Sequence, residues 1–271
     1  MIQVGQPTQA SQPTQASQPT PASQPTLASR VPQAAQPAAA PTTAQVAEAP
    51  VRVMTVCVPE QLSTEVLNST RQLDRHLSVA ATMCARLWAS PKLHMWQRGQ
   101  MVDLRKGGRP IYCAGGPVRL LDLAGMRYGA SLGAGIRYQL WTHVVDGTRP
   151  AASWRVFLER HLNDPGAYPM DAMQTAFDNQ PRVLAMRMHN ATVHGAAHLA
   201  VEELEMFQAG SMAYQNYHAL WSVCTDALLT ADGVQRKPKS DSLADKVTYL
   251  DQANRFIESL DDTQRLIAVT L

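Results

Sequence analysis

Long apolar runs, paired cysteines and phosphate-binding glycine loops are all missing from this 271-residue chain, and each absence removes a class of function. No stretch of eighteen or more apolar residues is present to suggest a membrane span, and the polar start, with neither a basic cluster nor an apolar run, predicts no secretory signal. The four cysteines, Cys57, Cys84, Cys113 and Cys224, lie far apart with no CxxC pair, which argues against a zinc site or a disulfide framework and for reduced thiols in a cytosolic compartment. The sequons at Asn68 and Asn190 then carry no meaning. Gly107, Gly108, Gly115 and Gly116 fit neither GxxxxGK[ST] nor GxGxxG, so nucleotide hydrolysis is unsupported. Lysine is scarce, 5 residues against 19 arginines, and a planar guanidinium suits a surface that meets phosphate or stacks on bases.

The first fifty residues lack what a core needs. Residues 1–50 are built mainly from Gln, Pro, Thr, Ala and Ser, with QPTQAS recurring at Gln6 and Gln12; they hold one base, Arg30, one acid, Glu48, and no aromatic residue. Such a segment cannot bury enough apolar surface to offset its ordering entropy, so a disordered amino-terminal arm is expected there. The rest of the chain is electrically polarised. Residues 51–200 carry 17 Lys and Arg against 10 Asp and Glu, whereas residues 201–271 carry 6 against 11. A basic middle and an acidic tail hint at nucleic acid, although solvated helix faces would give the same count.

Hydrophobic spacing predicts helices almost throughout. Leu62, Val66, Leu73, Leu77, Ala80, Ala81, Cys84 and Leu87 recur at three-four spacing from Pro59 to about Trp88, ending before Pro91. Glycines and Pro110 punctuate Gln97–Gly116, which reads as a loop or a short hairpin around RPIYCAG. Further helical runs are predicted from Pro117 through Met126, Tyr128 to Val145, Trp154 to Leu162, Met170 to Phe177, Arg182 to Gly210, Met212 to Leu229 and Leu243 to Leu260, with a polar linker at Lys237–Ser242. The expected fold class is all-α: one helical core domain, residues 51–210, between the arm 1–50 and a flexible helical carboxy-terminal arm, 211–271.

Two groups invite a catalytic reading. His189, His194 and His198 lie in MHNATVHGAAHLAVEELE, with His194 and His198 at the i, i+4 spacing of zinc hydrolases and Glu202 and Glu205 nearby. Where a zinc hydrolase has HExxH, this chain has HGAAH, so the general base is missing. Cys113 is the best-placed thiol and reads as a buried structural residue. No catalytic residue, metal ligand or cofactor is therefore assigned, the Met-rich stretch Met170–Met188 reads as core filling, and the protein is expected not to be an enzyme.

Three ordered pieces carry a resemblance: LWASPKLHMW at Leu87–Trp96, LAGMRYGA at Leu123–Ala130 and MQTAFDNQ at Met173–Gln180. Together they resemble segments of the coat proteins of flexuous filamentous positive-strand RNA viruses, the potyvirus and potexvirus families, and IRYQLWTHVVDGTRPAASW between them is similar to a potexviral stretch. Asn179 and Gln180 stand where those families carry aromatics, and Gly129 where bulkier residues are usual. The resemblance implies a helical capsid protein that wraps single-stranded RNA largely without sequence preference and self-associates through its arms, with the virion, and the host cytoplasm during assembly, as its location and no membrane partner. It places Ser90, Arg127 and Asp178 at the RNA groove, Arg127 meeting phosphate or base and Asp178 holding its guanidinium. Arg86, Lys92, Arg98, Arg119 and Arg137 are candidates by proximity, and Val51–Val58 is a candidate docking peptide for a neighbouring subunit. The competing readings are a bacterial secreted effector with a helical enzymatic domain, and a nucleocapsid protein of a negative-strand RNA virus.

Overall fold

The computed structural model describes residues 51–58, 81–105 and 107–271. The chain divides after Ala44, and every described residue belongs to the unit Gln45–Leu271. The predicted arm, residues 1–50, and most of the predicted helix that follows, residues 59–80, lie outside the described residues. In chain order the elements are β1 (Val53–Val58), β2 (Thr82–Met83), β3 (Leu87–Ala89), β4 (Ile111–Cys113), β5 (Gly115–Pro117), α1 (Leu123–Val144), α2 (Trp154–Asn163), α3 (Met170–Asp178), α4 (Pro181–Asn190), α5 (Leu204–Gln208), α6 (Ser211–Cys224), β6 (Ala227–Leu229), β7 (Gln235–Arg236), α7 (Leu243–Glu258) and β8 (Arg265–Thr270), with short 3-10 turns between some of them.

The expected all-α fold is overturned by a mixed six-stranded sheet ordered β2-β8-β1-β6-β7, with β5 also paired to β8. Val51–Val58, read as a docking peptide, supplies its central strand: β1 runs antiparallel to β8, from Val53 opposite Thr270 to Val58 opposite Arg265, and parallel to β6. The flexible carboxy-terminal arm is corrected by the same pairing, because β8 is buried over Arg265–Val269 and joins β1, β2 and β5. Both strands are covered on both faces. Met54, Val56, Val58, Ile267 and Val269 share one apolar cluster, while Cys57, Leu266 and Ala268 pack on the other side with Tyr249, Leu250, Ala253 and Ile257 of α7. A strand buried on two sides reads as a continuous apolar run, which periodicity cannot separate from a helix segment.

Other expected helices are cut short as well. The stretch expected to close the first helix, to about Trp88, is instead two short strands joined by a turn at Ala85–Arg86: β2 joins the sheet edge and β3 pairs with β4 in a small hairpin. The expected run Met212–Leu229 stops at Cys224, where Thr225 takes φ 59° and the chain turns into β6. Left-handed backbone is costly for a β-branched residue, and the Thr225 hydroxyl is held beside that of buried Thr55 at 3.2 Å. Asp226 then ties the turn to the sheet, accepting the Arg52 and Val53 N–H groups at 3.1 and 3.0 Å and the Trp221 indole N–H at 3.0 Å.

The helical half follows its sequence more closely. Asp122 caps α1 by accepting the Gly125 N–H at 2.9 Å, and the small residues of α1 let it pack along α6. Trp141, Phe207 and Tyr214 stack in series, with centroids 5.2 and 4.3 Å apart, and join Phe177, Val183, Met186 and Leu199 in a second core. Among the described residues no helix is long and apolar enough to cross a membrane.

Candidate nucleic-acid interface

From Ala81 to Tyr128 the sequence holds eight Lys and Arg against two Asp; β2 and β5 of this stretch join the main sheet, while β3 and β4 pair as a hairpin that, with the turns around it, makes a basic lobe. The chain leaves β3 at Ser90, makes a 3-10 turn over Met95–Gln100 and returns through a loop to β4. That turn is anchored from below. Gln97 Oε1 accepts the His94 N–H at 2.9 Å, the Gln100 carbonyl accepts Arg265 at 2.6 Å, and Arg119 donates to Gln100 Oε1 at 3.1 Å. Met101 and Val102 lie buried immediately beyond it.

The lobe's outer surface is basic and aromatic. Lys92, Arg98, Arg105, Arg109 and Arg119 are exposed; Arg105 pairs with Asp103 at 2.7 Å, while Lys92, Arg98 and Arg109 meet no carboxylate among the described residues. Met95 and Trp96 are 83% and 72% exposed, and the His94 and Trp96 rings lie parallel within 3° with centroids 6.2 Å apart. Tyr112 is exposed beside half-buried Trp88, and Tyr128 stands exposed on the first turns of α1. The unusual Gly129 has a local reason: a Cβ at that position would come within 2.7 Å of the Trp88 indole, so glycine lets β3 lie against α1.

Comparison with known protein families, with characterised proteins and with solved structures finds no match.

Ser90, Arg127 and Asp178 are not drawn to one point. Ser90 sits at the edge of the lobe, donating its N–H to the Leu120 carbonyl at 2.8 Å and accepting the Lys92 N–H on its hydroxyl at 3.3 Å. Arg127, on the second turn of α1, donates to Asn254 Oδ1 at 2.6 Å and lies 3.6 Å from Glu258, so its guanidinium meets α7. Asp178 holds a different arginine: it accepts Arg187 of α4 at 2.6 Å and Gln174 of α3 at 3.0 Å. The side chains of Arg127 and Asp178 are 24% and 28% exposed. Of the arginines named by proximity, Arg98 and Arg119 are exposed, as is Lys92, whereas Arg86 stacks on Trp221 at 4.7 Å and donates to the Ser222 carbonyl.

The two catalytic readings lose their geometry. The expected helix Arg182–Gly210 breaks after Asn190, and Gly195 takes φ 66°, so His194 and His198 flank a 3-10 turn rather than share a helical face. His198 and Glu202 line a shallow open depression of ≈ 340 Å³ with Arg187 and Asn190, and both amide atoms of Asn190 are spent on the Leu199 backbone, at 2.7 and 2.8 Å. Among the described residues no group of three His, Cys, Asp or Glu could hold a metal ion. Burial pushes the Cys113 thiol up to about 12, leaving it protonated and unreactive at neutral pH.

A partly buried polar cluster, without a signature in the sequence, joins α1 to α6. Tyr214 donates to Glu203 at 2.7 Å, His218 Nε2 stands 3.6 Å from the same carboxylate, and Arg137 reaches His218 Nδ1 at 3.5 Å. Burial works to raise the Glu203 carboxyl, but His218, Tyr214 and the Arg137 charge outweigh it and hold the group below the usual range. The Glu203 partners come from α1 and α6, so no local window could have shown them.

Proposed function

We propose that the chain is a viral coat protein, a structural and non-enzymatic subunit that polymerises around genomic single-stranded RNA into a flexuous filament, in the virion and, during assembly, in the host cytoplasm. The observation that carries this reading is the charge of the lobe: exposed Lys92, Arg98 and Arg109 meet no carboxylate among the described residues. Cations left without partners on an anchored surface favour a polyanion, and contacts to phosphate are indifferent to sequence, as one subunit covering a whole genome requires. The motif resemblance supports the same reading through its ordered residues, although the family's all-helical core is not this fold. Ser90 enters as a candidate RNA contact at the lobe's edge. Arg127 and Asp178 would contribute through their open sides while remaining bound to their protein partners.

Self-association has its own support. Tyr128, Leu132 and Ile136, at i, i+4 and i+8 on α1, are 68%, 51% and 69% exposed, an apolar strip that the monomer leaves in water. The acidic balance of residues 201–271 complements the basic lobe of another copy.

The test is electron microscopy of the full chain with a long single-stranded RNA at low salt, together with affinity measured across a salt series. Flexible filaments that depend on RNA are expected. The triple variant Lys92→Ala, Arg98→Ala, Arg109→Ala should weaken them and lower the log–log salt slope by about 2, since each phosphate contact on a single strand contributes about 0.7. Dispersed particles that retain no RNA would defeat the coat reading.

A further inference from the structure

The 3-10 turn Met95–Gln100 has no buried residue, and it displays the largest side chain the protein can offer. An indole left 72% in water forgoes the gain of burial, so its exposure calls for an occupant that comes and goes. Three features restrict what that occupant is. The His94 and Trp96 rings are parallel, presenting flat π faces of one orientation. The backbone beneath them is held by Gln97, by Arg119 through Gln100 and by buried Met101, so the rings are displayed from a fixed base. Residues 90–102 include exposed Lys92 and Arg98 and no acid, so a positive charge precedes and follows the ring pair along the chain.

We infer that His94 and Trp96 form a base-stacking platform for single-stranded nucleic acid, with Lys92 and Arg98 taking the adjoining phosphates. This rests on the RNA-binding reading above and adds to it which part of the strand is read. Every base has a π face, so stacking tolerates any sequence; in a duplex those faces are already covered, so the platform selects single strands. Met95, 83% exposed on the same turn, offers a soft apolar edge beside the rings.

The experiment compares three probes at one low salt concentration on the full chain: a short oligouridylate, an abasic sugar–phosphate oligomer of equal charge, and a duplex of equal length. Wild type should hold the oligouridylate more tightly than the other two. Trp96→Ala should lose about tenfold toward the oligouridylate alone, falling to the abasic level, with an unchanged salt slope and an unchanged circular dichroism spectrum, and Trp96→Phe should recover most of the loss. Equal affinity of Trp96→Ala and wild type for the oligouridylate, or equal affinity of wild type for base-bearing and abasic strands, would overturn the platform and leave phosphate binding standing. Loss of self-association in Trp96→Ala with RNA affinity intact would overturn it in favour of a protein contact. Failure of wild type to bind any of the three probes would bring down the RNA reading beneath it.

Discussion

The Glu203 carboxylate holds Tyr214 and His218 of α6, and Arg137 of α1 reaches the same His218, so its protonation should be felt by the packing of these elements. Burial alone would raise this group, yet His218, Tyr214 and Arg137 hold it below the usual carboxylate range. A carboxyl with a depressed folded-state value contributes stability at pH above its unfolded value, and that contribution is lost as pH falls through the folded value. Stability should therefore drop on acidification below about pH 4.5, the ordinary value for the group. Glu203→Gln should remove this part of the acid dependence and cost about 2 kcal/mol at neutral pH, since it leaves Arg137 without its neighbouring charge. Urea unfolding of both proteins across an acid-to-neutral series checks the sign; identical pH profiles would show that the cluster does not couple to folding.

Among elements, the loop after α4 shows how a side chain replaces helix. Asn190 accepts the Leu199 N–H and donates to the Leu199 carbonyl, while His189 Nε2 sits 2.9 Å from the Ala197 carbonyl, closing residues 191–198 into a loop with Gly195 at φ 66°. Asn190→Ala should cost about 2 kcal/mol by stranding two buried backbone groups, and hydrogen exchange should speed up first in residues 191–199. A uniform change across the protein would count against a local clamp. Legibility in the sequence divides along similar lines. Trp154–Asn163, Met170–Asp178 and Leu243–Glu258 follow their predicted helices within a residue or two; the last two each bury one stripe, while the first, with no buried residue, packs Phe157 edge-on against Phe177 of α3. Ala81, Cys84 and Leu87 also fit helical spacing, yet they lie in extended chain, because Thr82 pairs with Thr270, 188 residues on. The lobe's charge was visible as a count; the exposure of Trp96, and the separate partners of Arg127 and Asp178, depend on packing that no local pattern encodes.

For the molecule as a whole, β8 joins the regions expected to be separate. It pairs with β1, β2 and β5 and contributes Leu266 through Val269, each fully buried, to two apolar clusters. Removing Arg265–Leu271 should therefore abolish cooperative unfolding, a loss far larger than trimming a flexible tail would give. Thermal unfolding followed by near-ultraviolet circular dichroism checks this, and a truncated chain with a sharp native transition would refute it.

The pairing of β1 with β8 also sets an order in time. Val58 lies opposite Arg265, 207 positions later, so the first strand of the sheet leaves the ribosome long before its antiparallel neighbour exists. Until then VMTVCV is an unpaired apolar strand, and β6, its parallel neighbour, arrives only shortly before β8. Such distant closure is slow and leaves the edge open to other nascent chains on the same message. Synthesis rate and chaperone supply, more than the stability of the finished fold, should then govern the yield of subunits.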